Sequence, residues 1–565
     1  MVNFYLIVGV SVSLYFSFFV IGVLVLKDIV GNGVSLILEW SFSENFLVEL
    51  SCPLVLDLVS CLFSMAVLFI SGSVIMFSGF YMSHESFLCR FVLVVLLFVL
   101  SMLFLILFPN FLFMMVGWDG LGVVSFLLVV YYMNNDSLSA GMITAISNRV
   151  GDVLFIIMLG MMCCFMSFSF SSEYLIGFSS VSVLVLFGSM TKSAQIPFSA
   201  WLPEAMAAPT PVSTLVHSST LVTAGVYVLV RFSDLLSEMS YYLLILLSMM
   251  TVIMSGSGGI VEVDMKKVVA LSTLSQVGMM MFAISLGAIT MAFFHLLVHA
   301  FFKALMFMCV GGVIFYSGGV QDARCLSGLW MKMPFTCGLL LFTNLSLMGF
   351  PFMSGFYSKE MILGTYLSEN CSVLGFVILF FSLVFTGSYS VRMMLLMMSS
   401  TQVCPLNHYK ECNKYYITSL VLMSNGAVFV GLLIQLLAKE MVFFVLLDPV
   451  TFYSWVFLMG FWFVNMVVLL LLSYENNKFK SLLYWMMSKM WFLKDMSGNL
   501  ISSKSLLSFS KLVSFVEMGW IRSQIWGSGL KHMVFEKSNT VRKLNFHSLG
   551  LVMMVSLCLW IVVLV

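Results

Sequence analysis

The chain has 565 residues and a formal net charge of +1. Its residues are 61% hydrophobic and 9% charged, with a mean hydropathy of +1.09, which excludes a soluble globule. What remains is a polytopic membrane protein, and no nucleic acid is expected among its partners.

Crossing the hydrocarbon takes roughly 20 apolar residues as a helix, and about 14 to 16 stretches qualify. The series opens with Phe4 to Leu26, which no A-x-A-like cleavage site follows and which is therefore expected to stay as a mature span. Leu54 to Phe77, Phe91 to Phe108, Phe111 to Val130 and Ala140 to Met166 come next. Further along stand Leu243 to Val261, Val268 to Leu286, Ala292 to Phe315, Val373 to Met398, Tyr416 to Leu437 and Phe452 to Leu472, and Leu549 to Val565 closes the series. Lipid offers no partner to an open backbone, so only helices or closed barrels span, and continuous apolar runs of this length argue for helices.

Ionisable residues inside these spans carry the functional information, because a charge at bilayer depth costs about 2.5 to 3.5 kcal/mol on insertion scales. Asp119 lies near the centre of Phe111 to Val130, in Gly117-Trp118-Asp119-Gly120, where small residues allow close helix approach. An isolated carboxylate there demands a cation or neutralisation, and Lys192 is the candidate partner. Lys192 precedes Pro197, which cannot continue the hydrogen-bonded helix, and Pro203, Pro209 and Pro211 follow. A second interruption falls at Gly349-Phe350-Pro351 and Gly355, just before Lys359 and Glu360. Two interrupted segments, each with a lysine, are the sign of paired repeats that place broken helices at a transport site. The plainer reading of Lys359 and Glu360 is a loop between spans.

Histidine titrates near neutral pH. His217 sits among hydroxyls in Thr214 to Thr220 that could hold water, and His295, His299 and Lys303 advance along one helix by roughly 6 Å per step, a spacing that ordered water bridges. A lone histidine on an apolar face is usually a packing residue; this alignment with membrane lysines favours a proton relay. Metal binding by His295 and His299 is not favoured, since Leu296, Leu297 and Val298 between them supply no further ligand. The twelve cysteines form no C-x-x-C pair, and no phosphate-binding glycine loop is present, so the chain is expected to hold no nucleotide, metal or redox cofactor.

After Leu472 the character changes. Lys478, Lys480, Lys489, Lys494, Lys504, Lys511, Arg522, Lys531, Lys537, Arg542 and Lys543 outweigh Glu475, Asp495, Glu517 and Glu536, while Leu506, Leu507, Phe509, Leu512, Val513 and Val516 keep an apolar side. That is the profile of an amphipathic helix on the membrane surface, with an ordinary basic loop as the alternative. Either way the positive-inside rule places it on the positive side.

Several of these residues resemble the antiporter-like subunits of respiratory complex I. The resemblance rests on Lys192-Ser193-Ala194-Gln195-Ile196-Pro197-Phe198 and on Met206-Ala207-Ala208-Pro209-Thr210-Pro211-Val212-Ser213 through His217. It continues in Phe294-His295-Leu296, His299-Ala300-Phe301-Phe302-Lys303 and Gly355-Phe356-Tyr357-Ser358-Lys359. It implies an all-α polytopic membrane protein of about 15 transmembrane helices, with two inverted five-helix repeats containing broken helices, a long amphipathic lateral helix and a terminal anchor. The implied segments are 1–109, repeats at 110–260 and 261–400, C-terminal helices at 401–472, the lateral helix at 473–548 and the anchor at 549–565.

The resemblance further implies that Asp119 and Lys192 form the inlet half-channel, that His217 bridges to the centre, that His295, His299 and Lys303 form the central relay, and that Lys359 is the exit-side lysine. Arg149 and Asp152 match a charged pair near the inlet, Asp264, Lys266 and Lys267 a helix-end cluster, and Glu360 supports Lys359. Asp119 stands where the family commonly has a glutamate one methylene longer, so its contact with Lys192 is expected to need water or a helix shift. While Asp119 is charged and close, Lys192 keeps its proton; once that charge is withdrawn, burial favours the neutral amine and the proton moves inward. The implied activity is proton translocation coupled to NADH oxidation and ubiquinone reduction, with NADH, FMN, iron-sulfur clusters and ubiquinone held by partner subunits. Implied partners are the other membrane-arm subunits, especially the neighbouring antiporter-like subunit 4, and membrane lipids. The implied location is the mitochondrial inner membrane with the lateral helix on the matrix side, in keeping with the 55 Phe and 47 Met. Two rival readings are an Mrp-type cation/proton antiporter subunit and a structural clamp with a silent channel.

Overall fold

A computed structural model describes residues 2–24, 35–41, 51–164, 179–326, 328–350, 353–368, 373–398, 413–437, 485–493 and 501–516. Residues to Leu493 pack as one unit, and Lys494 to Val565 form a second. Among the described residues, 10 helices are long and apolar enough to cross a membrane. The expected spans Phe452 to Leu472 and Leu549 to Val565 lie outside the described residues, as does most of the basic segment.

In the first unit, α1 covers Val2–Leu24, α2 Leu58–Tyr81, α3 Leu88–Leu107, α4 Phe111–Val129 and α5 Asn135–Cys164. Boundaries follow local chemistry. Ser60 accepts the Asp57 amide at 2.8 Å to start α2, and Asn110, placed by the Pro109 break, accepts from the Leu112 amide at 3.2 Å to start α4. Between α1 and α2 stands an antiparallel hairpin, β1 Leu36–Ser41 with β2 Ser51–Leu56, in register Leu36 to Leu56 and Ser41 to Ser51. This corrects the all-α expectation and the start of the second span at Leu54. Glu39 and Pro53 exclude a buried helix here, so the backbones pair with each other instead.

The next element, α6, is described over Ser179–Lys192 and stops at its lysine. The chain then turns through Ala194, at φ 54°, and Pro197 into the short helical turn Trp201–Glu204. It re-enters as α7, Thr210–Arg231, whose Ser213–Thr220 stretch is a π-helix. The hydroxyls around His217 donate to carbonyls that the wider helix loosens, which leaves their oxygens as acceptors: Thr220 donates to Leu215 at 2.7 Å, Ser219 to Leu215 at 3.2 Å, and Ser218 to Thr214.

The remaining elements are α8 Glu238–Val261, α9 Met265–Ser285, α10 Ile289–Tyr316, α11 Pro334–Met348, α12 Ser354–Ser368, α13 Val373–Met398 and α14 Lys414–Leu437. The second break separates α11 from α12 at Gly349, whose φ of +83° suits only glycine readily. Spans α7, α9 and α10 are 100% buried over their apolar windows, whereas α5 is 33% buried. The centre of the unit is therefore walled by protein, the setting in which a membrane helix tolerates polar and charged side chains. In the second unit α15 covers Ile501–Val513, within the expected lateral segment, with Leu507, Phe509 and Leu512 exposed along it.

Candidate functional site

The first cluster is built where α4, α5 and α6 meet. Gly117 lets α4 close on α3, since a Cβ there would approach the Leu105 amide nitrogen at 2.6 Å. Lys192, at the last turn of α6, is fully buried. Its ammonium donates to the backbone carbonyl of Trp118 and lies 3.8 Å from the centroid of the Trp118 ring. The same indole donates its N–H to Asp152 at 2.9 Å, and Asp152 pairs with Arg149 at 3.1 Å. Asp119 keeps one carboxylate oxygen buried without a hydrogen-bond partner. Among the described residues no direct ion pair joins Asp119 to Lys192. Trp118 is a site residue that the sequence marks only by its place beside Asp119.

The second cluster is built on α10. His295, His299 and Lys303 are fully buried, and the two imidazole rings lie 6.3 Å apart. His295 meets the Ser358 hydroxyl of α12 at 2.8 Å through Nδ1, while its Nε2 and both nitrogens of His299 have no partner. The Lys303 ammonium donates to Ser272 of α9 at 2.5 Å. Lys359, 4% exposed on α12, donates to the Leu347 carbonyl in the last turn of α11, a group the break leaves free. Lys359 thus belongs to a packed helix and not to a loop. Glu360 beside it is half-buried with one oxygen unpartnered. Lys359 lies within electrostatic range of both Lys303 and His299.

His217 stands between the clusters in sequence order, on the π-helical stretch of α7 that packs against α10. Both its ring nitrogens are buried and unpartnered, and Trp201 lies beside it at 6.1 Å between ring centroids. Lys267 lies apart from this line. It pairs with Asp264 at 2.8 Å at the start of α9, partly exposed, while Lys266 is buried and donates to the Ala208 carbonyl at 3.3 Å. Chemically, the arrangement offers buried amines and imidazoles with vacant hydrogen-bonding capacity, the inventory needed to pass protons through intervening water. Among the described residues no group of three or more His, Cys, Asp or Glu is placed to hold a metal ion.

Residues 109–386 match the family model described as the NADH:quinone oxidoreductase/Mrp antiporter transmembrane family, and residues 389–565 match the NADH dehydrogenase subunit 5 C-terminus. The chain is 37% identical over 548 residues to NADH-ubiquinone oxidoreductase chain 5 of Lumbricus terrestris, covering 94% of each. It is 42% identical over 417 residues to the Anopheles gambiae chain 5, covering 72% of this chain and 70% of that one. Its fold is similar to that of the Mrp complex from Dietzia sp., with a TM-score of 0.69 at 24% identity over 89% of this chain and 59% of that chain. It is also similar to the archaeal membrane-bound sulfane sulfur reductase, with a TM-score of 0.65 at 19% identity over 76% of this chain and 91% of that one. Matched over nearly its whole length by chain 5 relatives, and folded like the antiporter modules, this multi-pass membrane subunit belongs to the NADH-ubiquinone oxidoreductase chain 5 family.

Proposed function

We propose that this chain is a proton-translocating subunit of the membrane arm of respiratory complex I. Protons pass along Asp119, Lys192, His217, His295, His299, Lys303 and Lys359 with water between them, while Arg149, Asp152, Lys267 and Glu360 set the surrounding charge. The observation that carries the reading is that Lys192, His217, His295, His299, Lys303 and Lys359 are all buried in protein, with two of the lysines at the two helix breaks. Burying that many titratable groups without function is costly.

In this reading the NADH, FMN, iron-sulfur and ubiquinone chemistry belongs to partner subunits, and quinone reduction there drives the conformational change that switches each hand-over. The finer architecture completes it: about 15 spans in two inverted repeats, a lateral helix on the matrix side of the mitochondrial inner membrane over 473–548, a final anchor, and antiporter-like subunit 4 as the adjoining partner.

The decisive experiment replaces Lys303 with Met in the intact complex reconstituted into liposomes. Proton uptake per NADH is expected to fall while the complex still assembles; undiminished pumping refutes the relay. The likeness to the Mrp structure supports a second reading as a cation/proton antiporter module, which sodium-dependent flux in isolated membranes would favour. Normal pumping after Asp119 and Lys192 are both replaced, with assembly lost on truncation beyond Leu472, would instead favour the clamp.

A further inference from the structure

On α9, one turn of buried polar side chains extends away from Lys303. Ser272, which accepts a hydrogen bond from the Lys303 ammonium at 2.5 Å, is followed at i+3 and i+4 by Ser275 and Gln276, so the three share one helix face. All three are 0% exposed. Ser275 donates to the Ser272 carbonyl at 2.9 Å and faces the phenol oxygen of Tyr389, on α13, at 3.4 Å. That is long for a direct bond between hydroxyls, whose usual separation is about 2.7 to 2.8 Å. Gln276 also interacts with that phenol through its side chain, a contact too poorly aligned to give either its amide nitrogen or its oxygen a well-formed hydrogen bond.

The place for Tyr389 is built: Gly259 of α8 leaves room for its ring, which a Cβ there would approach at 3.2 Å. A buried carboxamide held by one poorly aligned contact leaves most of its hydrogen-bonding capacity unmet, which is costly, and ordered water with two to four polar partners is the usual remedy.

We propose that Gln276, Ser275 and Tyr389 enclose a site for one ordered water, and that this site is a side branch of the Lys303 relay with Tyr389 as its positioning residue. Ser272 already spends its hydroxyl proton on the Val269 carbonyl at 2.7 Å, so it can accept from the ammonium but must rotate to donate to the neutral amine. A water one helical turn away, joined to Ser272 through the Ser275 hydroxyl that donates to its carbonyl, would supply the reversible donor that a lysine needs when it gives up and regains a proton. The proposal rests on the relay reading above.

Tyr389→Phe removes one oxygen and keeps the packing, so it is the variant to test, with Gln276→Leu as a second and Lys303→Met in parallel. A map of the intact complex that resolves waters is expected to show density within hydrogen-bonding distance of Gln276 and Tyr389, lost in both branch variants. In the assembled Tyr389→Phe complex, NADH-driven proton uptake is expected to slow about fivefold, the factor one hydrogen bond confers, and its pH profile to move. An empty site, or an unchanged pH profile with an unchanged rate in Tyr389→Phe, overturns the branch. If Lys303→Met also pumps normally, the relay itself fails; if it alone loses pumping, only the branch does.

Discussion

Trp118 does three things for Lys192 at once. Its carbonyl accepts the ammonium, its ring lies under the charge at 3.8 Å, and its indole N–H fixes Asp152 at 2.9 Å. A desolvated cation–π contact is worth about 2 kcal/mol, and an orphaned buried acceptor costs about 1 to 3 kcal/mol. Replacing Trp118 with Phe keeps the ring and removes the N–H, so pumping by the assembled complex is expected to slow about tenfold, and Trp118→Leu, which also removes the ring, to slow it further. Proton uptake in liposomes measures both. Lys192 and Asp119 were legible as candidates because a charge in an apolar run stands out. Their contacts were not, because neighbours on a helix point about 100° apart: Trp118 faces inward, fully buried, while Asp119 turns aside.

At the scale of elements, the two breaks matter because each brings a helix end against a neighbour. Gly355, at the start of α12, sits so close to the Ser346 carbonyl of α11 that any Cβ would overlap it. Gly364, later in the same helix, has nothing within reach of a Cβ. Gly355→Ala is therefore expected to cost about 1 to 3 kcal/mol and to lower the amount of assembled complex on native gels, while Gly364→Ala is neutral or mildly stabilising.

Outside the membrane, the stretch after α10 pairs with the stretch before α9: Met265 donates to Gln321 and Ala323 to Val263, each at 3.0 Å. Arg324 beside Asp322, at 2.8 Å, holds that carboxyl below its ordinary range by donating hydrogen bonds to it. A depressed carboxyl stabilises the fold above its unfolded pKa, about 3.9, and the contribution is lost as pH falls through the folded value. Limited proteolysis of this stretch should accelerate on acidification through that range, by a small factor since the pair is exposed, and Asp322→Asn should abolish that step.

Across the whole molecule, burial divides the helices by role. Leu97 on α3 is 54% exposed, whereas Leu271 on α9 is 1% exposed. Leu271→Ala is expected to cost about 2 to 5 kcal/mol and to impair assembly, whereas Leu97→Ala, at an outward-facing position of this chain, is expected to change little. Quantifying assembled complex in detergent extracts distinguishes the two. The same division explains why a relay fits here: α7, α9 and α10 are apolar in composition yet meet protein on every side, so their few polar groups can face one another and not the acyl chains.

The amino-acid sequence on its own determined the polytopic helical class, most of the described long spans, the two interruptions and the buried titratable residues, because a bilayer imposes a local rule: every backbone group must be satisfied within its own segment, and every charge in an apolar run is conspicuous. It also carried the motifs that mark the family. Only the tertiary structure decided that the hydroxyls around His217 serve a π-helix, that Lys192 leans on Trp118, that Lys303 bonds Ser272 and that Lys359 meets the open end of α11. Those pairings depend on how each helix is rotated and how closely its neighbours approach, and these are properties of packing between segments that lie 12 to 74 residues apart in the chain.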